Sequence, residues 1–281
     1  MTLRIGLIAD THIPERWPRI PSLVEEHFSG VDLILHAGDV GELWVLDALG
    51  SIAPVVAVHG NDETEEAAVA LPYEQLLGLA GRRVLLCHSH QPERAAEMAS
   101  RKSDEWEPKL RGCAAQAKRH GASIYVYGHT HIPMAQWVDG VLLLNPGAIA
   151  SGNAICRQTV QTIATLEIAA NGELVHEHYR VDDLGDHSIP DVDLSAGFGK
   201  ALSSFSEMIA TPEVQMAYRR ARLQNLTVEP ELQEVVLRVA RRCWSRELSL
   251  MDADSILAEA EADDRLGPEL TTKLRSILGT G

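Results

Sequence analysis

The sequence predicts an α/β domain followed by an α-helical region, and three observations support this fold class. Short apolar runs alternate with amphipathic stretches in the first part of the chain, as expected when strands of one sheet are joined by helices. Beyond about residue 127 this alternation gives way to two pairs of apolar runs, each pair joined by a turn dipeptide. None of the 12 His lies beyond His187, and the remainder has the periodicity of helices.

Five apolar runs in the first part are predicted to be buried strands. Their sequences are LRIGLIA, DLILHA, PVVAVHG, RVLLCH and SIYVYG. The stretches 20–28, 41–50 and 104–120 are predicted to be helices between them. The last of these ends in KRHG, with the cations and the Gly that are typical of a helix C-terminus.

Two antiparallel hairpins are predicted to close the first domain. MAQWV and VLLLN flank Asp139-Gly140, and QTVQTIATLEI and ELVHEHYRV flank Asn171-Gly172. Such dipeptides favour the tight turns of hairpins because both residues tolerate a left-handed backbone. The first domain is therefore predicted to span residues 1–183.

The acidic segment 184–196, which contains Gly and Pro, is predicted to be a linker, and 197–281 a helical domain of unknown role. Thr211-Pro212 and Gly267-Pro268 each predict a helix start. Apolar residues recur at helical spacing between them, at Leu232, Val236, Val239 and Cys243. Arginines cluster on two of these helices. We expect them to face solvent or to pair with acids, and the alternative is a surface for a second copy, a protein partner or an anionic substrate.

Composition limits the function classes. The chain of 281 residues is 45% hydrophobic and carries a formal net charge of -15, which repels nucleic acid and anionic membranes. It contains no apolar run of about 18 residues, the length needed to span a bilayer, and no N-terminal signal pattern. The four Cys have no CxxC spacing. We therefore expect a cytoplasmic protein that binds no membrane.

Polar residues follow five of the predicted strands, at the point where each strand ends. They are Asp10-Thr11-His12, Gly38-Asp39, Gly60-Asn61, His88-Ser89-His90 and Gly128-His129-Thr130-His131. In α/β sheets, ligands bind beyond the carboxyl ends of the strands. Asp, His and Asn without Cys suit Mn above all, with Fe, Zn, Co or Ni as alternatives. A carboxylate can bridge two cations about 3.5–4 Å apart, so the pattern predicts two divalent metal ions.

The motifs DTH, GD, GN, a lone His and GHTH, in that order, resemble those of the calcineurin-like metallophosphoesterases. LNPGAI at 144–149 resembles the NPGS-like loop of the small bacterial and archaeal phosphodiesterase branch. The resemblance covers about residues 1–183. It implies a four-layer α/β/β/α sandwich, with two sheets packed between helices.

The resemblance also implies a ligand set. Asp10, His12 and His131 would hold the first metal, Asn61, His88 and His129 the second, and Asp39 would bridge both. The implied activity is that of a phosphoesterase, and we favour a phosphodiesterase that hydrolyses a small phosphoester or nucleotide with a hydroxide held between the metals.

Two departures from the family pattern concern catalysis. GDVGE and GNDE stand where phosphoprotein phosphatases have GDxVDRG and GNHE, which argues against that activity. Many members have a His after the Asn as proton donor, whereas this chain has Asp62. Three alternatives stay open: Asp62 donates the proton, His90 or His59 donates it, or the leaving group needs none. The predicted catalytic residues are Asn61, Asp62 and His90.

Substrate contacts are predicted at two places. Asn145 either contacts the bound phosphate or forms the turn before Pro146-Gly147. Arg94 lies in the stretch 91–107, which is either a binding loop or a plain surface excursion. His36 and His59 are expected to pack or to orient a ligand.

Two other functions compete with hydrolysis. The first is a non-catalytic scaffold, because a retromer subunit with this fold serves as an assembly platform. The second is a nuclease with the helical region gripping the strand, against which the net charge speaks.

Overall fold

The computed structural model describes residues 2–100, 103–182, 185–223 and 229–279, and in the helices the side chains of residues 94, 98, 222 and 223 lie outside the described part. The chain divides into two compact units. The first comprises Met1–Gly152 and Gln158–Ser206, and the second comprises Asn153–Arg157 and Glu207–Gly281.

The strands of the described chain fall mainly in the first unit. In chain order they are β1 (Leu3–Ile8), β2 (Leu33–His36), β3 (Val55–Ala57), β4 (Glu74–Leu79), β5 (Arg82–Cys87), β6 (Ile124–Val126), β7 (Met134–Val138), β8 (Val141–Asn145), β9 (Cys156–Gln158), β10 (Thr162–Ile168), β11 (Leu174–Arg180) and β12 (Ser206–Met208). β9 and β12 lie where the chain passes from one unit to the other.

The helices occupy both units. They are α1 (Ser22–Phe28), α2 (Trp44–Gly50), α3 (Glu65–Ala70), α4 (Arg94–Ser100), α5 (Trp106–Arg119), α6 (Phe198–Leu202), α7 (Pro212–Leu223), α8 (Pro230–Trp244), α9 (Ala253–Glu261) and α10 (Pro268–Leu278), with a 3-10 turn at Leu194–Ala196. The predicted helices 20–28, 41–50 and 104–120 are confirmed as α1, α2 and α5.

Two five-stranded sheets form the first unit, with the strand orders β11-β10-β1-β2-β3 and β4-β5-β6-β8-β7. β1, β2 and β3 run parallel in one sheet, and β5, β6 and β8 run parallel in the other. The predicted hairpins are confirmed, because β7 pairs antiparallel with β8 across Asp139-Gly140, and β10 with β11 across Asn171-Gly172. Parallel strands bring their carboxyl ends to one edge of each sheet.

The core is layered, as the resemblance implies. Leu7 of β1 and Leu86 of β5 belong to one buried cluster, so the two sheets pack face to face. Phe28 and Val45 cover the outer face of the first sheet, and Ala114 covers the second. Each fully buried Leu or Phe side chain contributes about 1.5–3 kcal/mol to stability. The fold is the four-layer α/β/β/α sandwich, with additional helices toward the C-terminus.

The second unit is a group of helices with its own core. Leu232, Val239 and Cys243 of α8 are fully buried against residues of α7, α9 and α10. Arg238 of α8 pairs with Glu259 and Asp263, so for this arginine the expected pairing with acids is confirmed. Within the described ranges, none of the helices combines the length and hydrophobicity that a membrane crossing requires.

The compact units divide at a different place from the boundary that composition suggests. Residues 185–196 of the predicted linker belong to the first unit, and Ile189, Val192 and Leu194 pack against its core. Residues 183 and 184 lie outside the described part. That 1–183 and 197–281 are independent domains stays a prediction.

Candidate metal centre

The polar residues that follow β1, β2, β5 and β6 converge at one edge of the two sheets. Asp10, His12 and His131 form one buried group whose ligand atoms all lie within 4.8 Å of one another. Asp10, Asp39 and His88 form a second such group. The two groups share Asp10, so they are adjacent.

The carboxylates lie between the imidazoles. Oδ2 of Asp39 is 3.5 Å from Nε2 of His12 and 3.3 Å from Nε2 of His88. Oδ1 of Asp10 is 3.1 Å from Nε2 of His131 and 3.9 Å from Nε2 of His88. Asp39 therefore lies between His12 of the first predicted metal site and His88 of the second. This is the position that a bridging carboxylate requires.

Two buried nitrogens of this centre have no hydrogen-bond partner among the described residues, namely Nε2 of His12 and Nε2 of His88. Burying a polar atom without a partner is costly, and such atoms in native structures call for an explanation. A divalent cation would accept both lone pairs, and the oxygen and nitrogen donors present suit Mn, Fe, Zn, Co or Ni. The residues therefore fit a metal centre.

Backbone carbonyls fix the orientation of two imidazoles. Nδ1 of His88 lies 2.8 Å from the carbonyl oxygen of Ala37, and Nδ1 of His131 lies 3.0 Å from that of Ala150. A carbonyl only accepts, so each Nδ1 is the protonated nitrogen and each Nε2 faces the carboxylates. This is the arrangement by which proteins orient metal-binding His.

The pKa values show how strongly these groups interact. Burial would raise the pKa of Asp39, but His88 and His12 hold it well below its ordinary value. Burial would lower the pKa of His88, but Asp39 and Asp10 raise it to about 10. For His12 burial prevails and lowers the pKa to about 4. A cation bound at Nε2 of His88 would therefore have to displace a proton at neutral pH.

The backbone at this edge is strained. Asp10, His12, Asp39, His129 and His131 all have left-handed φ angles, between 43° and 69°. Non-glycine residues rarely adopt this conformation, at a cost of order 1–3 kcal/mol each, and they cluster at functional sites. The strained positions coincide with five of the seven predicted metal ligands.

Glycines let the loops approach the carboxylates. A Cβ added to Gly60 would lie 2.0 Å from Oδ1 of Asp39, and one added to Gly128 would lie 2.7 Å from Oδ2 of Asp10. Any side chain at these two positions would displace a candidate ligand. Gly60 and Gly128 therefore leave the room that these carboxylates need.

The remaining two predicted ligands lie beside these groups. The backbone N–H of His129 donates to the Asp10 carboxylate at 3.0 Å, and its ring Nε2 lies 2.9 Å from Oε1 of Glu97. Asn61 is exposed and follows Gly60 directly. That His129 and Asn61 bind a metal stays a prediction.

Glu97 is a residue that the motifs do not indicate. It lies on α4, where it is 9% exposed although its neighbours Ala95 and Ala96 face solvent. Its carboxylate also accepts from the backbone N–H of Gln91 at 2.9 Å. In the sequence, Glu97 is indicated only by its place in the long stretch 91–107. From there its carboxylate contacts the ring of His129.

Asp62 forms an ion pair with Arg16, which is the second residue that the motifs do not indicate. The Arg16 side chain is 9% exposed, whereas that of Asp62 is 45% exposed. Burial would lower the pKa of Arg16, but the Asp62 carboxylate raises it. The backbone N–H of Asp62 donates to Oδ1 of Asp39 at 2.9 Å.

The other histidines differ in their surroundings. The His90 side chain is buried close to His88, and burial together with that neighbour lowers its pKa to about 4. His59 is partly exposed and lies near His90, with ring centroids 5.8 Å apart. His36 is buried, and its Nε2 lies 3.0 Å from Oγ1 of Thr11. In the chain, Thr11 stands between the candidate ligands Asp10 and His12. This agrees with an orienting role for His36.

Asn145 is fully buried behind the centre. Its amide donates to the carbonyl oxygen of Gly128 at 2.8 Å and to Oγ1 of Thr130 at 3.0 Å, and its side-chain oxygen accepts from Gly147. This geometry favours the alternative in which Asn145 fixes a loop, and nothing in it supports substrate contact. The side chain of Arg94 lies outside the described part.

Comparison with known proteins places these residues in a family. Residues 3–171 match the model of the calcineurin-like phosphoesterase superfamily domain. A probable metallophosphoesterase of Methanocaldococcus jannaschii is 34% identical over 147 residues, which are 52% of this chain and 68% of the relative. A phosphodiesterase of the same organism is 25% identical, over 52% of this chain and 83% of its own.

A solved structure shares the fold. Vacuolar protein sorting 29 of Cryptosporidium parvum superposes with a TM-score of 0.53, over 66% of this chain and 95% of its own, at 21% identity. The matched family region contains every candidate ligand, from Asp10 to His131.

Proposed function

Because the chain belongs to the calcineurin-like phosphoesterase superfamily, we propose that it catalyses the metal-dependent hydrolysis of small phosphoesters. The substrates that we favour are phosphodiesters or nucleotides. One observation carries the proposal: two buried Nε2 atoms, of His12 and His88, face the Asp39 carboxylate without a hydrogen-bond partner in the described chain. The similarity to a phosphodiesterase supports the choice of diesters.

In this proposal Asp10, His12 and His131 would hold one cation, and His88, Asn61 and His129 would hold the other. Asp39 would serve both. The cations would supply an activated water and neutralise charge on the phosphoryl oxygens. Mn is the metal that we favour, and the same donors suit Fe, Zn, Co and Ni. Glu97 would orient the His129 ring, as carboxylates commonly do for metal-binding His.

Asn61 and Asp62 have different parts in this scheme. Asn61 is exposed, so while its amide oxygen would bind the cation, its amide NH2 would be accessible to a substrate oxygen, and the next residue is fixed at Asp39. Asp62 is paired with the buried Arg16, and protonation would remove the counter-ion of that guanidinium. The ion pair therefore opposes a role for Asp62 as proton donor.

His90 is the other candidate for the proton donor. Its pKa of about 4 means that it is neutral at pH 7, where it could still donate an N–H hydrogen bond to a departing oxygen. General acid catalysis contributes typically about 10²–10⁴-fold, so a site without a strong acid favours esters with good leaving groups. We therefore propose activated diesters over unactivated alkyl monoesters.

The test is turnover of bis-p-nitrophenyl phosphate by metal-stripped protein to which Mn²⁺ is restored. We expect turnover to require the metal. In Asp39→Ala and His129→Ala we expect it to fall by about 10³-fold or more, which corresponds to a loss of about 4 kcal/mol of transition-state stabilisation. Asp191→Ala and His176→Ala, at exposed positions of the same unit, are the matched controls. Equal turnover with and without metal would exclude the proposal.

A scaffold is the second candidate, and Asp62 favours it because many members of the family have a His as proton donor at this position. A protein that binds Mn²⁺ but hydrolyses none of a panel of diesters, monoesters and single-stranded DNA would support the scaffold. Binding of a protein partner or of a second copy through the C-terminal helices belongs to this candidate and is likewise a proposal.

A further inference from the structure

Arg16 joins three loops at the candidate metal centre. Its Nη2 pairs with the Asp62 carboxylate, and its Nη1 donates to the carbonyl oxygen of Ser151 at 3.1 Å. Its Nε donates to Glu15 at 3.2 Å. The partners Asp62 and Ser151 are 46 and 135 residues away in the chain, so this one side chain connects the loops that follow β1, β3 and β8.

Each of these loops carries a contact to a different candidate ligand. The backbone N–H of Arg16 donates to the carbonyl oxygen of His12 at 2.9 Å. The backbone N–H of Asp62 donates to Oδ1 of Asp39 at 2.9 Å. Ser151 follows Ala150, whose carbonyl oxygen lies 3.0 Å from Nδ1 of His131.

The hydrogen bond from the Asp62 backbone fixes the rotation of the Asp39 carboxylate. Its Oδ1 accepts from Asp62, and its Oδ2 is the oxygen that lies 3.5 Å from His12 and 3.3 Å from His88. If the loop of Asp62 were free to move, the carboxylate could rotate and lose this arrangement. Among the described residues, Arg16 holds the Asp62 side chain by the ion pair, while the neighbouring Glu63 ties the same loop to the backbone N–H of Val40.

Stability alone does not explain a buried arginine here. Removing a guanidinium from water is costly, and buried ion pairs can often be replaced by apolar residues without loss of stability. Arg16 is 9% exposed, and its fork of N–H groups engages acceptors on three sides. Lys could not reproduce these contacts, because it offers a point charge and no planar fork.

We infer that Arg16 is a positioning residue of the metal centre, which fixes His12, Asp39 and His131 through their loops, with Asp62 as its counter-ion. This inference rests on the proposed function, because it presupposes that the centre binds metal. Arg16 acts through the ligands and does not contact the substrate.

The experiment measures Mn²⁺ binding to metal-free protein by calorimetry, which needs no turnover. We expect Arg16→Gln to weaken Mn²⁺ binding about 10–100-fold, the usual effect of removing a group that orients metal ligands. Arg19→Gln, an exposed arginine three residues later, is the matched control and should bind like the wild type. Wild-type affinity in Arg16→Gln would overturn the inference.

A double-mutant cycle tests whether Arg16 and Asp62 act on Mn²⁺ binding as one pair. Asp62→Asn removes the same ion pair, so the variant carrying both substitutions should bind Mn²⁺ no more weakly than Arg16→Gln alone. Additive losses would contradict a shared role. If Arg16→Gln does not fold, Arg16→Lys takes its place, with weakened Mn²⁺ binding expected and unchanged binding counting against the inference.

Kinetics distinguish positioning from substrate contact. Arg16→Gln, assayed with saturating Mn²⁺, should lower kcat for bis-p-nitrophenyl phosphate and leave KM within about threefold of the wild type. A raised KM with wild-type Mn²⁺ affinity would show that Arg16 binds substrate instead. A wild-type protein that binds no Mn²⁺ would refute the proposed function, whereas a wild type that binds Mn²⁺ beside an unaffected Arg16→Gln would refute only this inference.

Discussion

The candidate metal centre and the helical unit differ in how their charged side chains are paired. In the helical unit Arg238 donates to Glu259 at 2.6 Å and to Asp263 at 2.8 Å, so its charge is matched by acids of the same unit. At the candidate metal centre Asp10 and Asp39 are buried beside imidazoles, and two of these, His12 and His88, have a buried nitrogen without a hydrogen-bond partner among the described residues. The backbone there is left-handed at five candidate ligands.

This difference separates residues that stabilise the fold from residues that are arranged for a ligand. A regular helix with paired charges needs nothing further, whereas strained backbone and unpartnered buried nitrogens persist only where the surroundings enforce them. Substitutions in the two regions should therefore affect different measurements.

The largest effect on stability is expected in the helical core. Leu232→Ala removes a fully buried side chain of α8 and should lower the free energy of unfolding by about 2–5 kcal/mol. Mn²⁺ binding by the folded protein should not change. Chemical denaturation measures the first effect, and Leu250→Ala, at a residue 47% exposed, is the control that should cost much less.

The next largest effect concerns the orientation of His129. Glu97→Gln weakens the contact to Nε2 of His129 and should reduce Mn²⁺ affinity or turnover about 10–100-fold, with little change in unfolding. Glu93→Gln, one turn earlier and exposed, is the matched control. Equal losses in both variants would mean that Glu97 has no specific role.

The pH dependence of metal binding should follow His88. Its pKa is raised to about 10, and a metal ligand must be neutral, so Mn²⁺ has to displace a proton at pH 7. Affinity should therefore rise by about tenfold per pH unit between pH 6 and 9 for that one proton. His12, with a pKa of about 4, should release none.

The stability of the metal-free protein should change with pH in the opposite direction to Mn²⁺ affinity. A raised folded-state pKa stabilises metal-free protein fully below the unfolded value of about 6.5, and this contribution is lost as pH rises toward 10. The proton release itself is measured by calorimetry of Mn²⁺ binding in buffers of different ionisation enthalpy. If Mn²⁺ bound at pH 7 without releasing a proton, His88 would not be the protonated ligand that the metal displaces a proton from.

The smallest effect is expected at the cap of α9. Asp252 accepts from the backbone N–H of Ser255 at 2.7 Å and forms a capping box with it, so Asp252→Ala should cost about 1 kcal/mol. Thermal unfolding measures the loss, and turnover should stay at the wild-type level. Asp264→Ala, at an exposed loop position, should leave stability nearly unchanged.

The sequence predicted the features that depend on neighbours in the chain. Turn dipeptides located both hairpins, and polar residues at strand ends located Asp10, Asp39 and His88, because parallel strands bring those ends together. Helix α9 lies in the region predicted to be helical, but its start was not located, since it has the cap Asp252 and no Pro to mark it.

Features that depend on distant contacts could not be predicted in this way. Arg16 meets Asp62 across 46 residues, and Glu97 meets His129 across 32 residues. Neither residue lies in a motif, and a charged residue in a loop is ordinarily solvated. The same reason explains Asn145, whose burial behind the GHTH loop follows from the packing of β6 beside β8.

The most direct test of the metal centre is anomalous X-ray scattering from crystals of the Mn²⁺-loaded protein. We predict two peaks about 3.5–4 Å apart on either side of the Asp39 carboxylate, one beside His12 and one beside His88. The absence of any peak within coordination distance of Asp39, at Mn²⁺ concentrations that saturate binding in solution, would contradict the proposed centre.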